Sequence, residues 1–205
     1  MIIVLHNYKR DEECILTAKS IRRLFPGISI EIISYSPASN LLLNTNVFNQ
    51  MIEVKTKHEN LGLMSCNKKN GLVFIEAIND VMKFYGEIDD KVLILDEHSY
   101  MLGPQFINEI LANDFDLGWY SWKIPGGEGM AGDKLVINPA KLKKFFPLIE
   151  GEEYVEKLLK EQLVDKVKDR VHKFKTIDYT YRVDGSKHTN KLVEMKEDLA
   201  RVGIM

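Results

Sequence analysis

The 205-residue sequence is short of several features that mark specialised proteins. It has two cysteines, Cys14 and Cys66, which form neither a disulfide framework nor a zinc motif. Cys14 falls among the apolar positions of a helical pattern and reads as a small buried hydrophobe. No stretch approaches the roughly 18 consecutive apolar residues that a bilayer span needs. The N-terminus enters a strand pattern at once, with no basic leader ahead of a long apolar run. A cytoplasmic chain with no membrane span is therefore expected. Charge of one sign is also lacking: 28 basic against 30 acidic residues leave a net charge of -2. That balance argues against nucleic acid as the main partner. The glycines at 126, 127, 129 and 132 do not have the spacing of a dinucleotide or P-loop fingerprint. Internal repeats and low-complexity tracts are absent as well.

What is present is a large apolar fraction, 45% of residues, in a length that fits one domain better than two. The run Ile2-Ile3-Val4-Leu5 reads as a buried strand, ending at His6-Asn7-Tyr8-Lys9-Arg10. Asp11-Glu12-Glu13 opens a helix that Pro26-Gly27 ends, and Ile28 to Ser36 holds a second strand. Residues 38–50 read as irregular, Met51 to Lys55 as a short strand, and Gly71 to Tyr85 as a heavily buried helix. Val92-Leu93-Ile94-Leu95 is the clearest central strand and stops at Asp96-Glu97-His98. Alternating strands and helices predict an α/β fold with a mostly parallel sheet and helices on both faces. Further on, the pattern predicts a helix at 104–111, a strand at 116–122, a flexible glycine-rich loop at 125–132 and a strand at 134–137. An amphipathic helix is expected from Val155 to Val171, a strand or hairpin arm over 173–183, and a last helix from Leu192 to Val202. Trp119 and Tyr120 alternate along their strand, so one is expected in the core and the other toward a cleft.

Open α/β sheets bind ligands beyond the carboxyl ends of their strands. The polar clusters at 6–10, 34–36 and 96–98 all lie at such ends. In an extended segment Asp96 and His98 project to one side and Glu97 to the other, so that Asp96 and His98 can meet one cation. Oxygen ligands suit Mg2+ or Mn2+, and a histidine tilts the choice toward Mn2+ or another transition metal. The competing reading is that Asp96 merely caps the next turn.

Val92 to His98 resembles the Asp-x-Asp element of GT-A glycosyltransferases, which ends a hydrophobic central strand. Asn7-Tyr8-Lys9-Arg10 is similar to the segment that lines the nucleotide in those enzymes, and Asn60-Leu61-Gly62 with Asn67-Lys68-Lys69-Asn70-Gly71 resembles their stretch before the motif strand. Together these elements cover roughly the first 110 residues. His98 replaces the second Asp of the motif, and Lys69 replaces the usual Arg.

The resemblance implies a Rossmann-like GT-A fold over residues 1–205, with a nucleotide-binding half at 1–112 and an acceptor half with C-terminal helices at 113–205. It implies a glycosyltransferase that moves a sugar from a nucleotide-diphosphate donor to an unknown acceptor, assisted by Mn2+ or Mg2+. Asn7, Tyr8, Arg10, Tyr35, Asn67, Lys69 and Asn70 are then the candidates for binding the nucleotide. Asp96, His98 and His188, the last expected in a loop, are the candidate metal ligands. Asp96 is also a catalytic candidate, with Glu128, in a mobile lid, and Glu153, beside Glu152, as candidate bases. A nucleotidyltransferase is a rival reading, although no glycine-bearing phosphate loop follows the first strand. The replacement at His98 keeps a non-catalytic binding module open as well.

Overall fold

The computed structural model describes residues 1–57, 70–124, 127–151, 154–174, 185–189 and 191–204, with side chains at all of these except 70, 71, 73, 122–124, 127–129 and 131–133. Along the chain run β1 (Ile2–Asn7), α1 (Asp11–Leu24), β2 (Ser29–Ser34), α2 (Asn40–Leu43), β3 (Gln50–Glu53) and α3 (Asn70–Tyr85). Next come β4 (Val92–Leu95), β5 (Ser99–Met101), α4 (Gln105–Ala112), β6 (Leu117–Ile124), β7 (Gly127–Ile137) and α5 (Pro139–Leu142). The last elements are α6 (Val155–Leu159), β8 (Val171–Phe174), β9 (Ser186–His188) and α7 (Leu192–Arg201). Seven strands form one sheet in the order β3-β2-β1-β4-β7-β6-β8, and β5 pairs with β9 in a separate ribbon. The expected α/β fold with a mostly parallel central sheet is what the chain forms. No helix among the described residues is long and apolar enough to cross a membrane.

The chain divides into two compact units, each assembled from separate stretches. The first comprises Met1–Val54, Leu95–Asn113 and Lys175–Met205, and the second Lys55–Ile94 and Asp114–Phe174.

In the first unit β1 and β2 run parallel from Ile2↔Ser29 to Asn7↔Ser34, and β2 runs parallel to β3. Ile3, Val4, Leu5, Ile30, Ile32 and Ile33 have no exposed surface, as a strand covered on both faces requires. Helix α1 begins with Asp11, Glu12 and Glu13 and ends with Arg22 and Arg23, complementing its dipole at both ends. Arg22 also ties down the chain that follows: its guanidinium donates to the carbonyls of Pro26, Ile28 and Val47 and to Asn49 Oδ1, at 2.6–3.0 Å. The stretch at 38–50, expected to be irregular, contains α2, because Ser39 caps it by accepting the Leu42 N–H. Unpredicted, too, was the ribbon, in which Ser99↔His188 and Met101↔Ser186 pair antiparallel.

In the second unit β6 and β7 form an antiparallel hairpin with a bulge between Trp119 and Ser121, and β8 runs parallel to β6. The glycine-rich stretch is thus not the expected flexible loop. From Gly127 onward it is strand, with Lys123↔Glu128 and Trp122↔Gly129 in register. A ladder needs only backbone groups, so glycine can join it while supplying none of the side-chain pattern by which a strand is recognised. Trp119 and Tyr120 are both buried, at 5% and 1% exposure, so neither opens to a cleft as expected of one. Gly118 is glycine for want of room: a Cβ there would lie 2.6 Å from the Phe115 ring and 2.8 Å from that of Phe174.

The helix expected over 155–171 stops early, continuing from α6 only through one π turn at Lys160–Val164. Arg170 turns the chain with a left-handed φ of 58° and is gripped by Asp114 and Asp116 at 2.6–3.0 Å, which sends Val171 into β8. The rest of the expected arm at 173–183 lies, beyond Phe174, outside the described residues.

Arg22→Met keeps the apolar stem and removes four hydrogen bonds. It is expected to cost ~1–3 kcal/mol, read as a lower urea midpoint with an unchanged slope.

Candidate metal centre

All four residues of β4 are fully buried, and the chain must turn sharply where this apolar strand ends. Asp96 makes the turn. Its Oδ1 accepts the His98 N–H at 3.1 Å, and its carbonyl accepts the Ser99 N–H at 3.3 Å. Residues 97 and 98 are therefore a turn and not the extended segment expected. Yet Asp96 and His98 do converge. The other carboxylate oxygen, Oδ2, lies 3.0 Å from His188 Nε2. His188 stands in β9, a strand instead of the expected loop, and its pairing with Ser99 delivers it to Asp96. Ligand atoms of Asp96, His98 and His188 all lie within 4.8 Å of one another. The capping role and the clustering role thus coexist, one for each oxygen of Asp96.

The surroundings are dry. Asp96 is 5% exposed, His98 1% and His188 9%. Burial lowers the His98 pKa, against the opposing pull of Asp96. A neutral imidazole with an available lone pair is the form that binds metals. Neither ring nitrogen of His98 has a hydrogen-bond partner among the described residues. The donor set, one carboxylate and two imidazoles with a buried unsatisfied ring, fits a divalent cation.

Helix α1 supports the turn through a polar stripe on its buried side. Glu13, Thr17 and Ser20, spaced by four and three, are all at most 5% exposed. Thr17 Oγ1 donates to the Glu97 carbonyl at 2.8 Å, and Ser20 Oγ accepts the Met101 N–H at 2.9 Å. Helix α7 braces the ribbon from its other end. Asp198 Oδ2 accepts from Tyr100 Oη in β5 at 2.6 Å and from Lys187 Nζ in β9 at 2.5 Å. Around it Leu16, Tyr100, Met195 and Leu199 form an apolar cluster. Gly185 opens β9 at a φ of 75°, accepting the N–H groups of Leu102 and Gly103, and a Cβ there would meet the Gly103 backbone at 3.0 Å.

The candidate nucleotide residues of β1 and β2 come together at the carboxyl ends of those strands. Asn7 is fully buried; its amide donates to Asp11 Oδ1 at 2.7 Å and Ser34 Oγ at 3.0 Å, and its Oδ1 accepts the Arg10 N–H. Tyr35 is buried edge-on to His6, with ring centroids 6.0 Å apart. Tyr8 is half-buried beneath the Lys9 ammonium, and Arg10 is exposed with a 3.2 Å contact to Glu13. Lys9 itself is left-handed, with a φ of 60°. Asn67, Lys69 and Glu153 lie outside the described residues, as do the side chains of Asn70 and Glu128. Sequence reasoning missed His6, Glu97 and Asp198. The buried stripe at 13, 17 and 20 was the available signal, since polar residues on the core side of a helix must be meeting something polar.

Two changes test this arrangement. Asp198→Ala leaves the buried Tyr100 hydroxyl without its acceptor and is expected to cost ~1.5–3 kcal/mol in chemical denaturation. Burial also holds the His6 imidazole down to about 4, against 6.5 ordinarily. Between those values the unfolded chain binds the additional proton, so His6 makes stability fall as pH drops from 6.5 toward 4. His6→Phe is expected to remove up to about 3 kcal/mol of that decline in the metal-free protein, measured by urea midpoints across the window.

No protein-family model matches the sequence, and no curated protein matches it. Solved structures do match in fold. The galactosyltransferase LgtC, in complex with donor and acceptor sugar analogues, superposes with a TM-score of 0.58 at 15% identity, over 86% of this chain and 74% of that one. An active-site mutant of LgtC gives 0.56 at 16% identity, over 86% and 73%. Glycosyltransferase GlyE of Streptococcus pneumoniae TIGR4 gives 0.54 at 19% identity, and there the chain spans 85% of itself but only 45% of GlyE. The fold of this chain is that of the GT-A glycosyltransferases.

Proposed function

We propose that this protein is a glycosyltransferase that draws a sugar from a nucleoside diphosphate donor, with a divalent cation held by Asp96, His98 and His188. The observation that carries the reading is the convergence of these three side chains, within 4.8 Å, at the carboxyl end of β4 in a fold shared with LgtC and GlyE. Two nitrogen ligands favour Mn2+ over Mg2+. A bound cation would neutralise charge on the departing diphosphate.

The chain's own groups supply the rest. Tyr8, half-buried at the end of β1, offers a face for the base, and the exposed Arg10 offers a planar fork for phosphate. Tyr35 and Asn7 shape the floor beneath them, held by the Tyr35 N–H donating to the Asn7 carbonyl at 2.8 Å. Asn67, Lys69 and Asn70 are proposed to complete the phosphate side, and Glu128 or Glu153 to take the acceptor proton. A nucleoside diphosphate sugar and a hydroxyl-bearing acceptor are the partners this reading requires.

Thermal shift with UDP, GDP and their sugars, with and without Mn2+, tests the proposal in the wild type and in Asp96→Asn. A donor at about 100 times its Kd adds ~2.7 kcal/mol of stability. The expected result is stabilisation by one nucleotide sugar that depends on Mn2+ and is lost in Asp96→Asn, with slow release of free sugar from the donor. Binding without any sugar release, even with a panel of acceptors, favours a non-catalytic binding module. No shift with any nucleotide rejects the donor site.

A further inference from the structure

Glu97 is 1% exposed, and neither of its carboxylate oxygens has a hydrogen-bond partner among the described residues. A buried carboxyl left in that state is costly, and an apolar side chain of similar size would remove the cost. Its position is fixed by the backbone, because the Glu97 carbonyl accepts the Thr17 hydroxyl. The nearest imidazole belongs to His98, whose Nδ1 lies 3.7 Å from Glu97 Oε1. His98 in turn has no hydrogen-bond partner at either ring nitrogen among the described residues. Two buried groups, each lacking what the other supplies, therefore stand side by side at the metal centre.

The geometry points to Glu97 as a positioning residue for the cation: its carboxylate accepts the Nδ1–H of His98 and so presents the Nε2 lone pair to the metal. This rests on the reading that Asp96, His98 and His188 hold a divalent ion. A neutral imidazole has one N–H and one lone pair, so a carboxylate at Nδ1 decides which nitrogen is free. Metal binding at Nε2 makes Nδ1–H a stronger donor, and a small rotation of the ring closes the 3.7 Å gap to hydrogen-bond distance. The cation also offsets the repulsion between the adjacent carboxylates of Asp96 and Glu97. Glu97 thus favours the metal-bound protein over the metal-free one.

The test is Mn2+ affinity, by titration calorimetry on the full chain, with the melting temperature of the metal-free protein measured alongside. Glu97→Gln keeps the shape and removes the charge. It is expected to bind Mn2+ roughly 10–100-fold more weakly while melting no lower than the wild type without metal. In a His98→Gln background the same change is expected to have no further effect on affinity, because Glu97 acts through His98. Should Glu97→Gln fail to fold, Glu97→Met provides the same comparison. Equal affinity of wild type and variant overturns this inference alone, as does an equal loss in both backgrounds. A lower melting temperature with unchanged affinity assigns Glu97 a structural role instead. No Mn2+ binding by the wild type overturns both this inference and the metal reading.

Discussion

The turn after β4 hangs on one carboxylate. Asp96 closes the turn with Oδ1 and faces His188 with Oδ2, at 3.1 and 3.0 Å. The two tasks constrain each other. Only a short side chain on the residue that starts the turn can reach back to the His98 N–H, and only a carboxylate has a second oxygen left for another partner. Residue 96 therefore has little freedom. A glutamate would miss the turn, and an asparagine would keep the turn but lose the charge. The geometry of this site is set where the local backbone turn and the clustering with His98 and His188 coincide in one residue.

Neighbouring elements hold the turn through hydrogen bonds. The hydroxyls of α1 reach its backbone at Glu97 and Met101, and the ribbon carries His188 across to Ser99. Asp198 then binds both strands of that ribbon through Tyr100 and Lys187, two residues after His98 and one before His188. Site geometry held from several directions is what a preorganised cation site needs, since each ligand must already be close to its bound position. Here the clustered side chains of Asp96 and His188 come from sequence positions 92 residues apart, so the C-terminal segment is as much a part of the cluster as the end of β4.

How much of this was legible in the sequence depended on whether the signal was local. The strands β1, β2 and β4 are short apolar runs bounded by polar clusters, and their parallel order followed from the alternation with α1 and α3. Asp96 and His98 were legible for the same reason, as an abrupt polar stop to the most apolar strand. The end of α6 was not, because Val167 and Val171 continue a helical spacing in the sequence after the helix has ended at Val164, and Arg170, left-handed and held by two aspartates from before β6, leads into β8 instead. Nor was the strand character of Gly127 to Gly132, where pairing with β6 supplies an order that glycine cannot announce. His188 was legible as a candidate from the resemblance alone, and its delivery by a ribbon of three-residue strands leaves no periodic trace.

The electrostatics of the first unit point the same way as its geometry. Burial disfavours charge on His6, Glu97 and His98 together, and the nearby carboxylate of Asp96 favours protonation of all three. For the two histidines these influences oppose, and burial wins. For Glu97 they add, so burial and the neighbouring Asp96 push this carboxyl toward its neutral form. A core selected for stability alone would not place Glu97 and His98, neither with a side-chain hydrogen-bond partner among the described residues, beside a buried aspartate. A divalent cation reverses the sign of the local field. On the proposed reading, a bound cation would take up a lone pair of His98 and offset the penalty on the adjacent carboxylates of Asp96 and Glu97.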